Sequence, residues 1–301
     1  MFEGFIEERV EGAGVTLFVR RAGPPDAHPV VLLHGYPQTS AMWHGVAPLL
    51  AKKFNVVCLD LRGYGQSDKP TSNNEHTTYA KRAMAEDVIR VMENLGHRRF
   101  YVGAHDRGAR VAHRLGLDFP DRVKAMTLLD IAPTREMYAE TSAEFASAYW
   151  HWFFLIQKSP LPEMIIGKDP VEFWKQKCFN QVGGENPFHP DALDEYLKAF
   201  SDPKTIHASC EDYRAAATID IVHDNEDGSR RLSIPIRVFW ARKGVIGKCF
   251  DALALWQRRA ENVSGEALDL THYMAEEQPE KIAAEMHKFF SLHSNDSGVA
   301  Q

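Results

Sequence analysis

Cysteine is scarce. There are four in 301 residues (Cys58, Cys178, Cys210 and Cys249), with none of the close spacings that hold a metal. Thiols scattered this way read as reduced cysteines of a cytosolic protein rather than as a disulfide framework. No apolar run approaches the length that crosses a bilayer. The stretch Met1–Arg21 carries Glu3, Glu7, Glu8 and Glu11 and lacks the apolar centre of a signal peptide. Blocks of lysine or arginine are missing too. With 35 Lys plus Arg against 41 Asp plus Glu the formal charge is -6, so neither nucleic acid nor an anionic membrane is an expected partner. There is no internal repeat, and only Ser294–Gln301 reads as a polar, disordered tail. What remains is an ordinary globular composition, 44% hydrophobic and 25% charged. The chain is long enough for one large α/β domain or a core domain with an insertion.

Apolar runs rich in Val, Leu and Ile recur at Val15–Val19, Val30–Leu33, Val56–Leu59, Phe100–Val102, Ala125–Leu129 and Ile236–Trp240. Runs that do not alternate predict parallel strands covered on both faces. Helix-length segments at Met42–Lys52, Thr78–Leu95 and Arg107–Leu117 separate them, which predicts a mostly parallel, doubly wound α/β core. The rhythm stops after Pro133. From Thr134 to Arg231 there is no buried strand pattern but helical windows at Ala143–Gln157, Val171–Gln181, Pro190–Phe200 and Cys210–Ile219. The expected organisation is a core of residues 1–133 and 232–301 with an α-helical cap, 134–231, inserted in it.

The chemistry gathers at strand ends. Phe100–Val102 runs into Gly103-Ala104-His105-Asp106-Arg107-Gly108 and then a helix. This is the small-x-nucleophile-x-Gly turn of an α/β hydrolase with Asp in the usual place of Ser. Taken alone it reads equally well as an Asp N-cap. Three further features favour catalysis. His34-Gly35-Tyr36-Pro37 follows an earlier strand, where such a fold supplies an oxyanion donor, so the backbone N–H groups of Tyr36 and Arg107 are the candidates. Asp130 ends another strand, and His272 follows the last ones, giving the order nucleophile, acid, base. A carboxylate is ionised at neutral pH and needs no base to attack carbon. The ester it forms is then cleaved by water that a histidine activates. Beside Asp106, Arg107 and Arg110 lie on one helical face and can hold a substrate carboxylate through forked bonds.

These segments resemble the fluoroacetate, or haloacetate, dehalogenases of the α/β-hydrolase superfamily. The similarity rests on His34-Gly35-Tyr36-Pro37-Gln38-Thr39, Asp60-Leu61-Arg62-Gly63-Tyr64-Gly65, His105-Asp106-Arg107-Gly108-Ala109-Arg110 and Leu129-Asp130-Ile131. It continues in Tyr149-Trp150-His151-Trp152 and Cys210-Glu211-Asp212-Tyr213-Arg214-Ala215. The resemblance implies Asp106 as nucleophile, His272 as base and Asp130 as its partner. Arg107 and Arg110 would bind the carboxylate, and His151, Trp152 and Tyr213 would hold the departing halide. An imidazole, an indole N–H and a phenol O–H suit that task as three donors with no competing carboxylate. Trp150, Phe153 and Phe154, on other faces of the same helix, read as core packing. In the family a pocket-lining Trp commonly stands where this chain has Gln181, which implies a larger, wetter pocket. The implied substrates are therefore haloacetates, with chloro- and bromoacetate or a larger 2-haloacid alongside fluoroacetate. Two other readings stay open: an epoxide hydrolase with the same Asp and His, and a small-acid binding protein without catalysis. Arg107, where neutral-substrate relatives carry Trp, weighs against the first. No metal or organic cofactor is implied, since no ligand-spaced set or dinucleotide loop is present. The expected partners are a small haloacid and water, with a homodimer left open.

Overall fold

The computed structural model describes residues 1–182 and 186–294; all but the first residue of the polar stretch Ser294–Gln301 lies outside the described residues. Within them, β1 (Ile6–Glu11), β2 (Thr16–Ala22), β3 (Pro29–Leu33), β4 (Asn55–Leu59), β5 (Phe100–His105), β6 (Val123–Leu129), β7 (Ile236–Ala241) and β8 (Val263–Leu268) form one sheet. The spatial order is β1-β2-β4-β3-β5-β6-β7-β8. β2 pairs antiparallel with β1 and β4, and the remaining neighbours are parallel. All six apolar runs became strands. The two that the sequence pattern missed, β1 and β8, lie at the edges, where Glu7, Glu8, Ser264 and Glu266 are exposed or half-buried. Charged, half-solvated edge strands keep a sheet from pairing further, and the same charges hide them from an apolar scan.

The helices depart more. Met42–Lys52 is not one helix but a 3-10 turn, Ser40–Trp43, followed by the single turn α1 (Ala47–Leu50), because Gly45 and Pro48 interrupt it. The other expected core helices are α2 (Lys81–Asn94) and α3 (Asp106–Asp118). Between β6 and β7 stand eight described helices: α4 (Thr134–Ala139), α5 (Ala143–Ala148), α6 (Trp150–Leu155), α7 (Leu161–Ile166), α8 (Pro170–Gln181), α9 (Pro190–Phe200), α10 (Pro203–Ala217) and α11 (Ile219–Glu226). The window Ala143–Gln157 breaks at Tyr149, and Cys210–Ile219 is the end of a longer helix that starts at the Asp202 N-cap and Pro203. That cap-and-proline signal was present in the sequence. After β7 come α12 (Val245–Cys249), α13 (Ala252–Arg259), α14 (Met274–Glu277) and α15 (Pro279–Leu292). No described helix is long and apolar enough to cross a membrane.

Helices α8 to α10 are tied to β2 and to the loops that follow β3 and β4. Arg20 pairs with Glu195 at 2.7 Å. The Trp174 indole donates to the Pro37 carbonyl at 3.0 Å, and the Tyr64 hydroxyl to Asp212 at 2.6 Å. Trp152, Trp174, Tyr196 and Tyr213 are fully buried beneath this layer, whereas Trp150 is 43% exposed. The core role expected for Trp150 is thus wrong; Phe153 and Phe154 are half-buried against the core.

Candidate active site

The parallel strands β3, β5, β6 and β8 deliver their following loops to one edge, and each expected catalytic segment lies in such a loop. At the end of β5 the chain turns into α3 at Asp106, whose φ of 45° lies in the left-handed region. That conformation is costly for a non-glycine residue and persists only where its surroundings enforce it. Two glycines do so here. A Cβ on Gly108 would lie 2.5 Å from the His34 carbonyl oxygen, and one on Gly35 would lie 2.5 Å from the Asp106 Cβ. The β3 loop therefore packs directly on the turn, and the Tyr36 N–H donates to Asp106 Oδ1 at 3.0 Å. The second expected donor, the Arg107 N–H, is in the first turn of α3, where an N–H has no intrahelical acceptor. Burial alone would raise the Asp106 pKa, but His272, His105, Lys177 and Arg107 outweigh it and hold the carboxyl well below its ordinary range.

Asp130 directly follows β6, also at positive φ, 48°. Its Oδ1 accepts the Ala241 N–H at 2.8 Å, which fixes the carboxylate against β7, and its Oδ2 lies 2.6 Å from His272 Nδ1. This arrangement leaves the Nε2 of His272 for the site. His105 buttresses His272 from below: its Nε2 meets the His272 carbonyl at 2.8 Å and the rings are 4.6 Å apart. Burial pushes the His105 pKa down to about 3, so it serves as a neutral prop.

Near Asp106 lies a cluster of buried donors. Arg110 donates to Thr134 at 2.5 Å and to the Met137 sulfur at 3.3 Å, its guanidinium lies 4.4 Å over the Trp152 ring, and its Nε has no partner. Among the described residues no carboxylate pairs with it. Burial, then repulsion from Arg107, lowers its pKa to about 10. The Trp152 indole N–H, the hydroxyls of Tyr36, Tyr138 and Tyr213, and Arg107 Nη1 are likewise buried without partners. The expectation of a free fork on Arg107 needs correction. Its Nε and Nη2 are bound to the Asp212 carboxylate at 3.1 and 2.7 Å, and Nη2 also to the Asp212 carbonyl at 2.8 Å. Only Nη1 is left, above the Tyr213 ring, which lies 4.1 Å from the guanidinium carbon.

Helix α8 and the His272 loop line a cavity of about 470 Å³, with His151, Lys177, Gln181 and His272 among its lining. Burial, then Lys177, holds the His151 pKa well below its ordinary value, so its ring is neutral. Gln181 faces this cavity and accepts the Tyr273 hydroxyl at 2.8 Å.

The match to known proteins follows the same outline. Residues 28–163 match the α/β-hydrolase fold. The chain is 42% identical to a fluoroacetate dehalogenase of Burkholderia sp over 97% of its own length and 95% of the relative's. The chain belongs to the fluoroacetate (haloacetate) dehalogenase family of the α/β hydrolases. A soluble epoxide hydrolase of Corynebacterium sp. (strain C12) is 31% identical over 88% of this chain and 90% of that one. Among solved structures, an α/β hydrolase from Nostoc sp PCC 7120 superposes with a TM-score of 0.93 at 50% identity, covering 97% and 99% of the two chains.

Three residues of this haloacetate dehalogenase family member escaped the sequence reading. Lys177 stands one helical turn before Gln181, so its spacing placed it on the pocket-lining face. Asp212 and His105 lie beside Tyr213 and Asp106 in the quoted segments, but only the fold shows what they touch. Glu163, His207 and Glu211 also bring ligand atoms within 4.8 Å of one another. Arg214 donates to both carboxylates at 2.7 Å, so that cluster already holds a cation of its own.

Proposed function

We propose that the protein is a hydrolytic dehalogenase of short 2-haloacids, with residues 134–231 acting as a cap over the site. The observation that carries this reading is the cluster of donors near Asp106: an arginine without a carboxylate partner and five further buried donors without acceptors. Buried donors left unpaired are costly, and a small anion that leaves as a second anion would satisfy them. The name of the Burkholderia relative points the same way.

Arg110, with Nη1 of Arg107, holds the substrate carboxylate and turns the halogen-bearing carbon towards Asp106. The free Oδ of Asp106 attacks that carbon as the carbon–halogen bond breaks, the halide leaving with the bonding electrons. His151, Trp152 and Tyr213, all buried, receive it as neutral donors. The product of this step is an ester on Asp106. His272, oriented by Asp130, takes a proton from water, which attacks the ester carbonyl. The N–H groups of Tyr36 and Arg107 stabilise the oxyanion, and collapse releases the 2-hydroxyacid. Gln181 in place of an aromatic keeps the pocket wide, which favours chloride and bromide over fluoride as leaving groups.

Halide release from fluoro-, chloro- and bromoacetate and 2-chloropropionate tests this, with chloroacetate and bromoacetate expected to turn over. An epoxide hydrolase is the second reading, favoured by the unpartnered hydroxyls of Tyr138 and Tyr213, which could protonate an epoxide oxygen. A neutral epoxide would leave Arg110 uncompensated. Diol formation from an epoxide without halide release from any haloacid would select this reading instead.

A further inference from the structure

Lys177 is an anomaly among the buried charges. It is 4% exposed, yet among the described residues no carboxylate pairs with it. Its ammonium makes only two long contacts, 3.3 Å to the Tyr36 carbonyl and 3.4 Å to the Tyr273 hydroxyl, and lies 5.1 Å from the centre of the Tyr36 ring. Lys81, buried to the same degree, has Asp212 and Asp220 as partners. An ammonium offers three donors; Asp106 attracts this one through space without pairing with it, so no anion takes up those donors. One helical turn on, Gln181 has its carboxamide oxygen engaged by Tyr273, which leaves its amide N–H donors towards the same space.

Both side chains face the cavity that His151 and His272 also line, and at about 470 Å³ it is far larger than a haloacetate needs. Asp130, on the same wall, is engaged by Ala241 and His272. At the mouth, exposed Lys243 and Lys248 face Glu144, a net positive rim that draws anions. On the dehalogenase reading the substrate carboxylate would lie towards Arg110 and the halide towards His151 and Trp152, and a further substituent on C2 would have this cavity, lined by His151 and His272, to enter.

We propose that Lys177 and Gln181 form a second anion subsite, which binds the distal carboxylate of a 2-halodicarboxylic acid such as 2-chlorosuccinate. This rests on the dehalogenase reading above. The reaction is the same displacement: the Asp106–C2 bond forms, the C2–Cl bond breaks with its electron pair going to chloride, and water cleaves the ester. The products are 2-hydroxysuccinate, chloride and one proton, with the Asp106 carboxylate restored.

The test compares substrates that differ only in the distal carboxylate. In the wild type, succinate should inhibit chloroacetate turnover at least about tenfold more tightly than propionate, the scale of one charge-assisted contact. The kcat/KM for 2-chlorosuccinate, both enantiomers supplied, should exceed that for 2-chloropropionate. Lys177→Met should lower this ratio about tenfold, and Lys177→Arg should retain most of it. Gln181→Glu, which adds a like charge, should lower it as well and supplies the test if the methionine variant does not fold. Succinate binding no better than propionate, or a ratio unchanged in Lys177→Met or Gln181→Glu, would overturn the subsite while chloroacetate turnover leaves the dehalogenase reading standing. No halide from any of these acids would overturn both.

Discussion

Replacing Asp212 with Asn isolates what holds Arg107 in place. Both groups of the pair are fully buried, and three contacts of 2.7 to 3.1 Å join them. Lys81 also donates to Asp212 and lies 3.5 Å from Asp220. Removing one charge from a buried pair costs about 3–5 kcal/mol, chiefly because the partner stays buried and uncompensated. Asn keeps an acceptor and the volume, so the lower end, about 3 kcal/mol, applies. At about 2 °C per kcal/mol for a chain of this size, the melting temperature should fall by roughly 6 °C. Arg107 Nη1 would also lose its fixed direction. On chloroacetate, KM should then rise and kcat fall together, with kcat/KM down about tenfold or more, as for a lost charge-assisted bond. Adding Lys81→Met removes one of the stranded cations, so the double variant should regain part of the melting temperature but none of the activity. Circular dichroism melts and halide-release kinetics on the three variants decide the matter. An Asp212→Asn protein with wild-type melting and wild-type kcat/KM would refute the positioning role.

Other perturbations probe separate parts of the account. Arg110→Lys keeps the charge but loses the fork that reaches Thr134 and Met137; initial-rate kinetics on chloroacetate should show KM up and kcat down by about tenfold each. Gln181→Trp should shrink and dry the cavity, raising the fluoroacetate to 2-chloropropionate ratio of kcat/KM; a shift towards the larger acid would show that residue 181 does not bound the substrate. His113 is buried with Nε2 unpartnered, and burial, then Arg114 and Arg259, lower its pKa from 6.5 to about 3. Its folded value lies below its unfolded one, so its contribution is present above pH 6.5 and lost as pH falls towards 3, at about 1.4 kcal/mol per pH unit. Urea unfolding between pH 6 and 4 should show that slope reduced by about one proton in His113→Gln.

Much of this fold was legible because central parallel strands are continuous apolar runs, and the segments of Tyr36, Asp106 and Asp130 directly follow one, whereas that of His272 follows the missed edge strand β8. Asp106, Asp130 and His272 were singled out by the turn after a strand, a strand end and chain order taken together, and Asp130 does lie 2.6 Å from His272. What could not be read depends on contacts between distant segments. Nothing near Arg107 in sequence says that Asp212, 105 residues on, holds its fork. An apolar scan also passes over β1 and β8, whose charged edge residues serve solubility rather than packing. Lys177 shares a helix face with Gln181, but a lone lysine on a helix is ordinarily solvated, and only burial distinguishes it.

The central claim is that Asp106 itself becomes esterified. Displacement at carbon needs no proton transfer, whereas hydrolysis of the ester needs His272. Replacing His272 with Asn should therefore stop the reaction after one halide per active site. Intact mass spectrometry after incubation with chloroacetate should show the added mass of one carboxymethyl group, and peptide mapping should place it on Asp106. Asp106→Ala should release no halide and take up no mass, with circular dichroism showing both variants folded. A folded His272→Asn protein that stays unmodified while the wild type releases halide would contradict the account and favour direct attack by water.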